Sequence, residues 1–155
     1  MNPQILAQII AKLNSREDVS SIFSDTDNSN VSVEEKQLIE RYLPQKHLII
    51  YGTLAPDKPN HHIMQPIIGE WKRITIYGKL EEKGWGAEQG FFGFAHDNGK
   101  SANQIDSWVL ISDSLPENFP FLDDFEGEGY KRILCKYNIS ATDDIGVGYI
   151  YAINN

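Results

Sequence analysis

From His47 to the end of the chain, short apolar or aromatic runs alternate with glycine, proline, asparagine and aspartate, and this pattern constrains the fold more than any other feature. Runs of this length, bounded by turn-forming residues, are typical of β-strands rather than helices. The six candidate strands are HLIIYG, WKRITIYGKLE, FFGFAH, SWVLIS, YKRILCKYNIS and VGYIYAI. A short helix is expected between the fourth and fifth strands, with Asn118 as its cap, Pro120 in its first turn and Gly127 beyond its end. One helix among six strands predicts an α+β fold built on a small, curved, mixed sheet or barrel.

The beginning of the chain has a helical pattern instead. Asn2 is a suitable cap for the segment NPQILAQIIAKLN, and Pro3 suits the first helical position. One face of this helix is apolar and consists of Ile5, Leu6, Ile9, Ile10 and Leu13. Because such a face is unfavourable in water, we expect it to pack on the main body or on a second subunit. The polar residues 15–30 that follow are expected to form a loop.

A second helix is expected in SVEEKQLIERYL, where Ser32 and Glu35 have the spacing of a capping box and Pro44 stops the helix. We therefore divide the chain into an N-terminal helical extension, residues 1–45, and a second domain, residues 46–155. The residues of the extension leave open whether it is a lid, the surface of a homodimer or packing for the main body.

Composition and charge limit the classes of partner. A chain of 155 residues with 41% hydrophobic residues is long enough for one core, and its net charge of −8 without a dense Lys/Arg block disfavours nucleic acid and anionic membrane surfaces as partners. The single cysteine, Cys135, cannot form an internal disulfide and is expected to be a core thiol in a reducing compartment. With no signal pattern and no apolar run of membrane length, a soluble cytoplasmic protein is expected.

No metal or cofactor is expected from the sequence. His61 and His62 are adjacent, so on a strand they would face opposite ways, and we expect them in a loop. There is no Gly-x-Ser-x-Gly motif of a serine hydrolase, and GWGAEQGFFGF lacks the Lys and Ser/Thr that end a phosphate-binding loop.

The stretch LIIYGTLAPDKPN changes abruptly from a strand pattern at Gly52 to a proline-rich turn. A glycine after a strand allows backbone amides to converge on a small anionic group, because no Cβ blocks the approach. The alternative is a plain strand end that leads into a turn at Ala55, Pro56 and Asp57. The motif alone leaves both interpretations open.

A second unusual segment, FLDDFEGEGYKR, places acidic residues among aromatic ones. If the helix ends near Glu126, this carboxylate lies at the negative end of the helix dipole beside apolar groups, and both effects raise its pKa. A raised pKa suits a general base at neutral pH. The alternative is that these acids are surface residues on a helix end, and Glu128 is a rival to Glu126 for the catalytic role.

Taken in order, the motifs YGTL, GKLEEKGWGAEQGFFGF, LDDFEG, YKR and GYIYAI resemble the gamma-glutamylcyclotransferase-like family of small barrels, in particular its gamma-glutamylamine cyclotransferase or AIG2-like branch. The resemblance covers roughly residues 47–153. It implies that Glu126 is the catalytic acid/base. It also implies a substrate-binding set formed by the Tyr-Gly loop and two further tyrosines: Tyr51, Gly52, Thr53, Leu54, Tyr130 and Tyr151.

The resemblance implies a cyclotransferase that needs no metal or redox cofactor. Its substrate would be a small γ-glutamyl amine, amide or dipeptide, whose α-amine attacks its own γ-carbonyl to form 5-oxoproline and free amine. The sequence does not identify the leaving amine. The alternative is a binding module of the same fold without turnover, but such a module would not require an ionisable group at Glu126.

The chain departs from the family pattern in two places. Many relatives begin almost directly with the Tyr-Gly strand and carry a glycine in the strand before the glutamate helix, where this chain reads DSWVLIS. A second tetrapeptide, YGKL at residues 77–80, resembles the first, but its neighbours continue a strand pattern without a proline-rich turn. We therefore assign the loop role to the first copy.

Overall fold

The computed structural model describes residues 2–16, 31–81, 93–95 and 103–153. Within these ranges the chain forms three α-helices and seven β-strands. The helices are α1 (Pro3–Asn14), α2 (Val33–Tyr42) and α3 (Leu115–Glu126). The strands are β1 (His47–Ile50), β2 (Glu70–Tyr77), β3 (Lys79–Glu81), β4 (Gly93–Ala95), β5 (Gln104–Ile111), β6 (Tyr130–Ile139) and β7 (Ile145–Ile153).

Five of the strands form a closed mixed barrel in the order β1-β5-β2-β6-β7. Neighbouring strands in this order are antiparallel, and the barrel closes where β1 pairs in parallel with β7, with Leu48 opposite Tyr149. The antiparallel pair β3–β4 extends the sheet through a parallel contact of Phe94 with Ala152 on β7. The predicted α+β class and the predicted small mixed barrel are therefore confirmed.

The barrel has one core inside and one outside, because side chains alternate between the two faces of each strand. One buried cluster contains strand residues such as Ile49, Val109 and Ile150, and it fills the interior of the barrel. The other joins outward-facing residues such as Leu48 and Tyr149 to the buried residues of the helices. Cys135 is buried in the interior cluster and is not part of a disulfide, as predicted.

Helix α1 packs on the outside of the barrel against β6. Its cap is the one predicted, since the Asn2 side chain accepts a hydrogen bond from the backbone N–H of Gln4. Four members of the predicted apolar face are buried, but Ile5 is 48% exposed, so the buried stripe is narrower than expected. At the end of the helix, the Asn14 side chain donates to the carbonyl oxygen of Leu134 and accepts from its N–H, both at 2.8 Å.

Helix α2 begins with the predicted capping box, in which Ser32 and Glu35 exchange side-chain and backbone hydrogen bonds. Glu35 is buried and also lies 3.3 Å from the guanidinium of Arg16, which links the end of α1 to the start of α2. The helix ends before Pro44, as predicted, and a short 3₁₀ turn, Pro44–Lys46, leads into β1. Of the loop predicted at residues 15–30, residues 17–30 lie outside the described part.

Two predicted boundaries are wrong. The second candidate strand is two strands, β2 and β3, separated at Gly78, which the ring of Phe94 approaches so closely that a Cβ would collide with it. Helix α3 starts at Leu115, with Ser114 at the cap position, because Pro116 can occupy the first turn without losing a helical hydrogen bond. Asn118 is therefore not a cap, and its side chain donates to the carbonyl oxygen of Ser114 at 2.7 Å.

No helix in the described part of the chain is long and apolar enough to cross a membrane.

Candidate active site

Glu126 is the last residue of α3, and its side chain is mostly buried. The helix ends here because Gly127 adopts a φ of 81°, a conformation that side-chain-bearing residues rarely adopt. Burial raises the pKa of Glu126 from 4.5 to about 7. The carboxyl group can therefore both accept and return a proton near neutral pH.

Three tyrosines from different parts of the barrel lie within electrostatic range of Glu126. They are Tyr51, directly after β1, Tyr130, the first residue of β6, and Tyr151 on β7. Burial raises the pKa of Tyr51 and of Tyr130, and the negative charge of Glu126 raises both further. The pKa of Tyr151 is also raised, first by burial and then by contacts with Asp123, with a smaller contribution from Glu126. The fold thus brings together four of the residues assigned to the site from the sequence.

The Tyr51 hydroxyl joins three strands beside this site. It donates to the backbone carbonyl oxygen of Tyr151 at 2.8 Å and accepts from the backbone N–H of Phe94 at 2.8 Å. The rings of Tyr51 and Phe94 are in contact, with 5.9 Å between their centroids. Because a tyrosine hydroxyl has a single proton, Tyr51 cannot also donate to a substrate in this arrangement.

The predicted loop, residues 52–54, uses its carbonyl groups for its own structure and leaves its amides available. The carbonyl oxygens of Gly52, Thr53 and Leu54 accept hydrogen bonds from Ala55 N–H, Asn60 N–H and His61 Nδ1, respectively. No described residue accepts a hydrogen bond from the three amides of this loop. The side chain of Leu54 is buried in the outer core and anchors the loop.

Gly52 does not adopt a positive φ, so the backbone conformation does not require a glycine here. A Cβ at this position would meet no atom within 4 Å. The absence of a side chain instead keeps open the space in front of the loop. The turn expected at Ala55–Asp57 is also present, since the amide of Lys58 donates to the carbonyl oxygen of Ala55 at 3.1 Å. A strand end that leads into a turn and a loop that presents its amides to a ligand are therefore compatible interpretations of this stretch.

Asp123 and Arg132 also belong to this region, although the sequence did not single them out. Asp123 lies one helical turn before Glu126, and the Tyr151 hydroxyl donates to its Oδ1 at 2.7 Å. Arg132 binds Asp123 through two parallel hydrogen bonds, Nε to Oδ1 at 2.9 Å and Nη2 to Oδ2 at 3.1 Å. The i, i+3 spacing of Asp123 and Glu126 was the available signal, because it places both carboxylates on one face of a helix.

The other candidate residues are placed differently. Glu128 lies in the turn after α3 and is exposed. His61 and His62 lie in a 3₁₀ turn rather than on a strand, which confirms the predicted loop position. The described residues contain no group of three or more side chains that could hold a metal ion. Of the segment GWGAEQGFFGF, Phe94 is buried, whereas residues 84–92 lie outside the described part.

A groove of about 520 Å³ lies elsewhere, between α1 and α2. Only helix residues line it: Ile5, Ile9, Glu34, Gln37, Glu40 and Arg41. It contains none of the residues around Glu126.

No protein-family model matches the sequence. Among solved structures, an AIG2-like protein from Mus musculus (A2LD1, GGACT) superposes with a TM-score of 0.56 at 21% identity, over 69% of this chain and 76% of that one. YkqA from Bacillus subtilis gives a TM-score of 0.54 at 21% identity, over 70% of this chain but only 36% of that one. An Arabidopsis thaliana protein solved in solution gives 0.52 at 18% identity, over 70% and 68% of the two chains.

At these low identities the similarity is evidence for the fold alone. The closed mixed barrel and the helix before β6 agree with the small mixed barrel and the short helix expected from the sequence. The chain therefore has the small mixed β-barrel fold of the gamma-glutamylcyclotransferase-like and AIG2-like proteins.

Proposed function

We propose that this protein is a cyclotransferase that converts a γ-glutamyl amide, amine derivative or dipeptide into 5-oxoproline and a free amine. The observation that carries the proposal is the environment of Glu126, whose burial raises its pKa to about 7 in a site also lined by Tyr51, Tyr130 and Tyr151. A carboxylate with this proton affinity is suited to general acid/base catalysis at neutral pH. The resemblance of the LDDFEG segment to the family motif assigns the same role to this residue.

In the proposed reaction Glu126 first takes a proton from the α-ammonium group of the substrate. The resulting amine attacks the γ-carbonyl carbon, so that a new C–N bond closes a five-membered ring. The bond between the γ-carbon and the leaving nitrogen then breaks as Glu126 returns its proton to that nitrogen. Glu126 then carries a second proton from the ring nitrogen to the departing amine, so that one ammonium hydrogen remains on the ring nitrogen and the amine leaves in its ammonium form. The carboxyl group of Glu126 is regenerated unchanged.

The loop at residues 52–54 is proposed to bind the charged end of the substrate. Its three amides have no acceptor among the described residues, and the space in front of Gly52 is open. Amides that converge on an anion can fix the α-carboxylate of the γ-glutamyl group or stabilise the oxyanion that forms on the γ-carbonyl. Holding the substrate folded brings the amine close to the carbonyl, which removes much of the entropic barrier to ring closure.

We further propose that residues 46–155 form the catalytic domain, that residues 1–45 are an N-terminal helical extension, and that the protein acts in the cytoplasm. The single buried cysteine supports a reducing compartment. Helix α1 contacts β6 directly through Asn14, which supports a role for the extension in packing rather than as a detached element.

The proposal is tested by incubating the purified protein with a panel of γ-glutamyl amines, γ-glutamyl amides and γ-glutamyl dipeptides. The 5-oxoproline released is measured by mass spectrometry, with α-glutamyl dipeptides as substrates that cannot close the same ring. We expect release from at least one γ-glutamyl class, lost in Glu126→Gln and retained in Glu128→Gln. Tight binding of γ-glutamyl compounds without any release would instead support the binding-module alternative.

A further inference from the structure

Asp123, Arg132 and Tyr151 form a connected network beside Glu126, and the register of the barrel builds it. Arg132 on β6 and Tyr151 on β7 are directly opposite each other in the antiparallel pair, so their side chains leave the sheet on the same face. Both reach Asp123 on α3, and both bind its Oδ1 atom, at 2.9 Å and 2.7 Å. The Tyr151 hydroxyl is thereby fixed between the sheet and the helix.

The guanidinium of Arg132 is itself held in place. Its central carbon lies 4.0 Å from the centre of the Phe119 ring and 4.4 Å from that of Tyr149. These two rings meet edge to face at 5.2 Å. The Arg132 side chain is only 13% exposed, so its planar group is stacked in a defined orientation when it binds the Asp123 carboxylate. The Asp123 side chain is 44% exposed, but its carboxylate is engaged by both Arg132 and Tyr151.

The hydrogen bond to Asp123 determines what the Tyr151 hydroxyl can do towards a ligand. A tyrosine hydroxyl has one proton and can accept through its oxygen, and an ionised carboxylate can only accept. The proton of Tyr151 must therefore point to Asp123. Towards Glu126 and any bound substrate, Tyr151 presents only an oxygen that accepts hydrogen bonds.

We propose that the Asp123–Arg132 pair is a positioning device, which turns the Tyr151 proton away from Glu126 so that the Tyr151 oxygen accepts a hydrogen bond from the α-amine of the substrate. The part of this inference that concerns the substrate rests on the function proposed above. Asp123 and Arg132 act through Tyr151 and are positioning residues.

The orientation of Tyr151 also affects the proton affinity of Glu126. Among the described residues, the groups on which the charge of Glu126 acts are Tyr51 from the loop after β1, Tyr130 from β6 and Tyr151 from β7. Asp123 lies one turn earlier on the same helix and is paired with Arg132. The Tyr51 proton is directed to the Tyr151 backbone, and the Tyr151 proton to Asp123. A hydroxyl that donated to Glu126 would stabilise its charged form and lower its pKa. The network prevents Tyr151 from doing so.

The decisive variant is Tyr151→Phe, because it removes the hydroxyl and leaves every charge in place. The titration of Glu126 is followed by NMR in protein whose glutamate side-chain carboxyl groups carry ¹³C, with Glu126→Gln used to assign the signal. We expect the midpoint to stay at its wild-type value, while kcat/KM for a γ-glutamyl substrate falls about tenfold, as for one lost hydrogen bond. A rise of the midpoint by about one pH unit would show that the hydroxyl already donates to Glu126, and would overturn the proposal.

Asp123→Ala releases the Tyr151 proton, and the same two measurements then form a double-mutant cycle. This variant also changes the local charge, so the informative comparison is Asp123→Ala against Asp123→Ala with Tyr151→Phe. We expect removal of the released hydroxyl to raise the Glu126 midpoint by about one unit in this background, in contrast to its lack of effect in the wild type. Equal midpoints in the two variants would contradict the proposal.

Two further variants separate positioning from structural damage. Asp123→Asn keeps an oxygen where Tyr151 and Arg132 Nε bind, so it should restore most of the activity that Asp123→Ala loses. Asp124→Ala removes the neighbouring exposed carboxylate of α3 and should change neither midpoint nor kcat/KM. A folded Asp123→Asn protein as inactive as Asp123→Ala would count against the proposal. If Asp123→Ala does not fold, Tyr151→Phe still decides the orientation of the hydroxyl.

The NMR titration needs no substrate, so the two proposals can fail separately. Absence of 5-oxoproline release from every γ-glutamyl compound, with the expected titrations, would reject the proposed function and leave the orientation of Tyr151 supported. Release of 5-oxoproline together with a Glu126 midpoint raised by Tyr151→Phe would support the proposed function and reject the proposed orientation of Tyr151.

Discussion

Replacing Glu126 by glutamine should stabilise the protein above neutral pH while it lowers turnover at least about a hundredfold. Glutamine keeps the size of the side chain, but it cannot carry the negative charge that burial disfavours and cannot accept the substrate's proton. Stability and activity therefore change in opposite directions. Substitution of a residue that merely supports the fold would lower both the stability and the activity.

The magnitude follows from the pKa of Glu126. Because its pKa is raised from 4.5 to about 7, the folded protein holds this proton over a pH range in which the unfolded chain has released it. The resulting stabilisation is complete below pH 4.5 and is lost as the pH rises to about 7. At about 1.4 kcal/mol per pKa unit, the full loss would be about 3 kcal/mol, and partial contact of the carboxyl group with solvent reduces it to roughly 1–3 kcal/mol.

The assay is urea unfolding of the wild type and Glu126→Gln between pH 4.5 and 8, with Glu128→Gln as the matched control. The variant and wild type should have similar free energies of unfolding near pH 4.5, and the variant should be more stable by about 1–3 kcal/mol above pH 7. The control should follow the wild type, because Glu128 is exposed. A difference that does not vary with pH, or a variant less stable at pH 8, would refute the assigned burial of Glu126.

Turnover gives the second readout. 5-Oxoproline release by Glu126→Gln should fall at least about a hundredfold, the usual effect of removing a general base. In the wild type, kcat/KM should fall as the pH drops below about 7, since protonated Glu126 cannot accept the ammonium proton, and this limb should be absent from the variant's residual rate. Near-normal release by purified Glu126→Gln would refute the catalytic assignment, and loss of activity in Glu128→Gln alone would move the base to Glu128.

Three further predictions concern the loop, the helix end and the N-terminal helices. Gly52→Val should remain folded, since a Cβ there meets no atom within 4 Å, yet weaken binding of a γ-glutamyl ligand at least tenfold in calorimetry; unchanged affinity would remove the loop from the site. Gly127→Ala should lower the free energy of unfolding by about 1 kcal/mol because its φ is 81°, and an unchanged urea midpoint would contradict this. Leu13→Ala, which empties a fully buried position of α1, should cost about 2–5 kcal/mol, and limited proteolysis that removed residues 1–44 without loss of stability would show that the helices are not part of the core.

Much of the local structure could be predicted from the sequence because its causes lie within a few residues. The caps at Asn2 and Ser32, the stop before Pro44 and the end of α3 at Gly127 depend on neighbouring backbone groups and on intrinsic backbone preferences. The start of α3 was missed because several residues before Asn118 could also begin a helix, and only packing selects among them.

The position of Glu126 at a helix end among aromatic residues could be predicted from a local pattern, but the sequence could not say how deeply the carboxyl group is buried. Two of the tyrosines that interact with it, Tyr51 after β1 and Tyr151 on β7, are distant from it in the chain. The raised pKa is thus a property of the assembled barrel, although the residue that carries it was visible beforehand.

The sequence by itself determined which segments are helices and strands and which residues could react, because these properties depend on side-chain chemistry and short-range periodicity. Only the tertiary structure decided which of those residues meet. The parallel closure of β1 on β7 brings the hydroxyl of Tyr51 to the backbone of Tyr151, 100 residues away, and the β6–β7 register places Arg132 opposite Tyr151, where both bind Asp123. Register and closure are set by the burial of the whole barrel, and a shift of one residue would turn these side chains to the other face. The orientation of a single hydroxyl proton beside Glu126 is therefore a consequence of the complete fold.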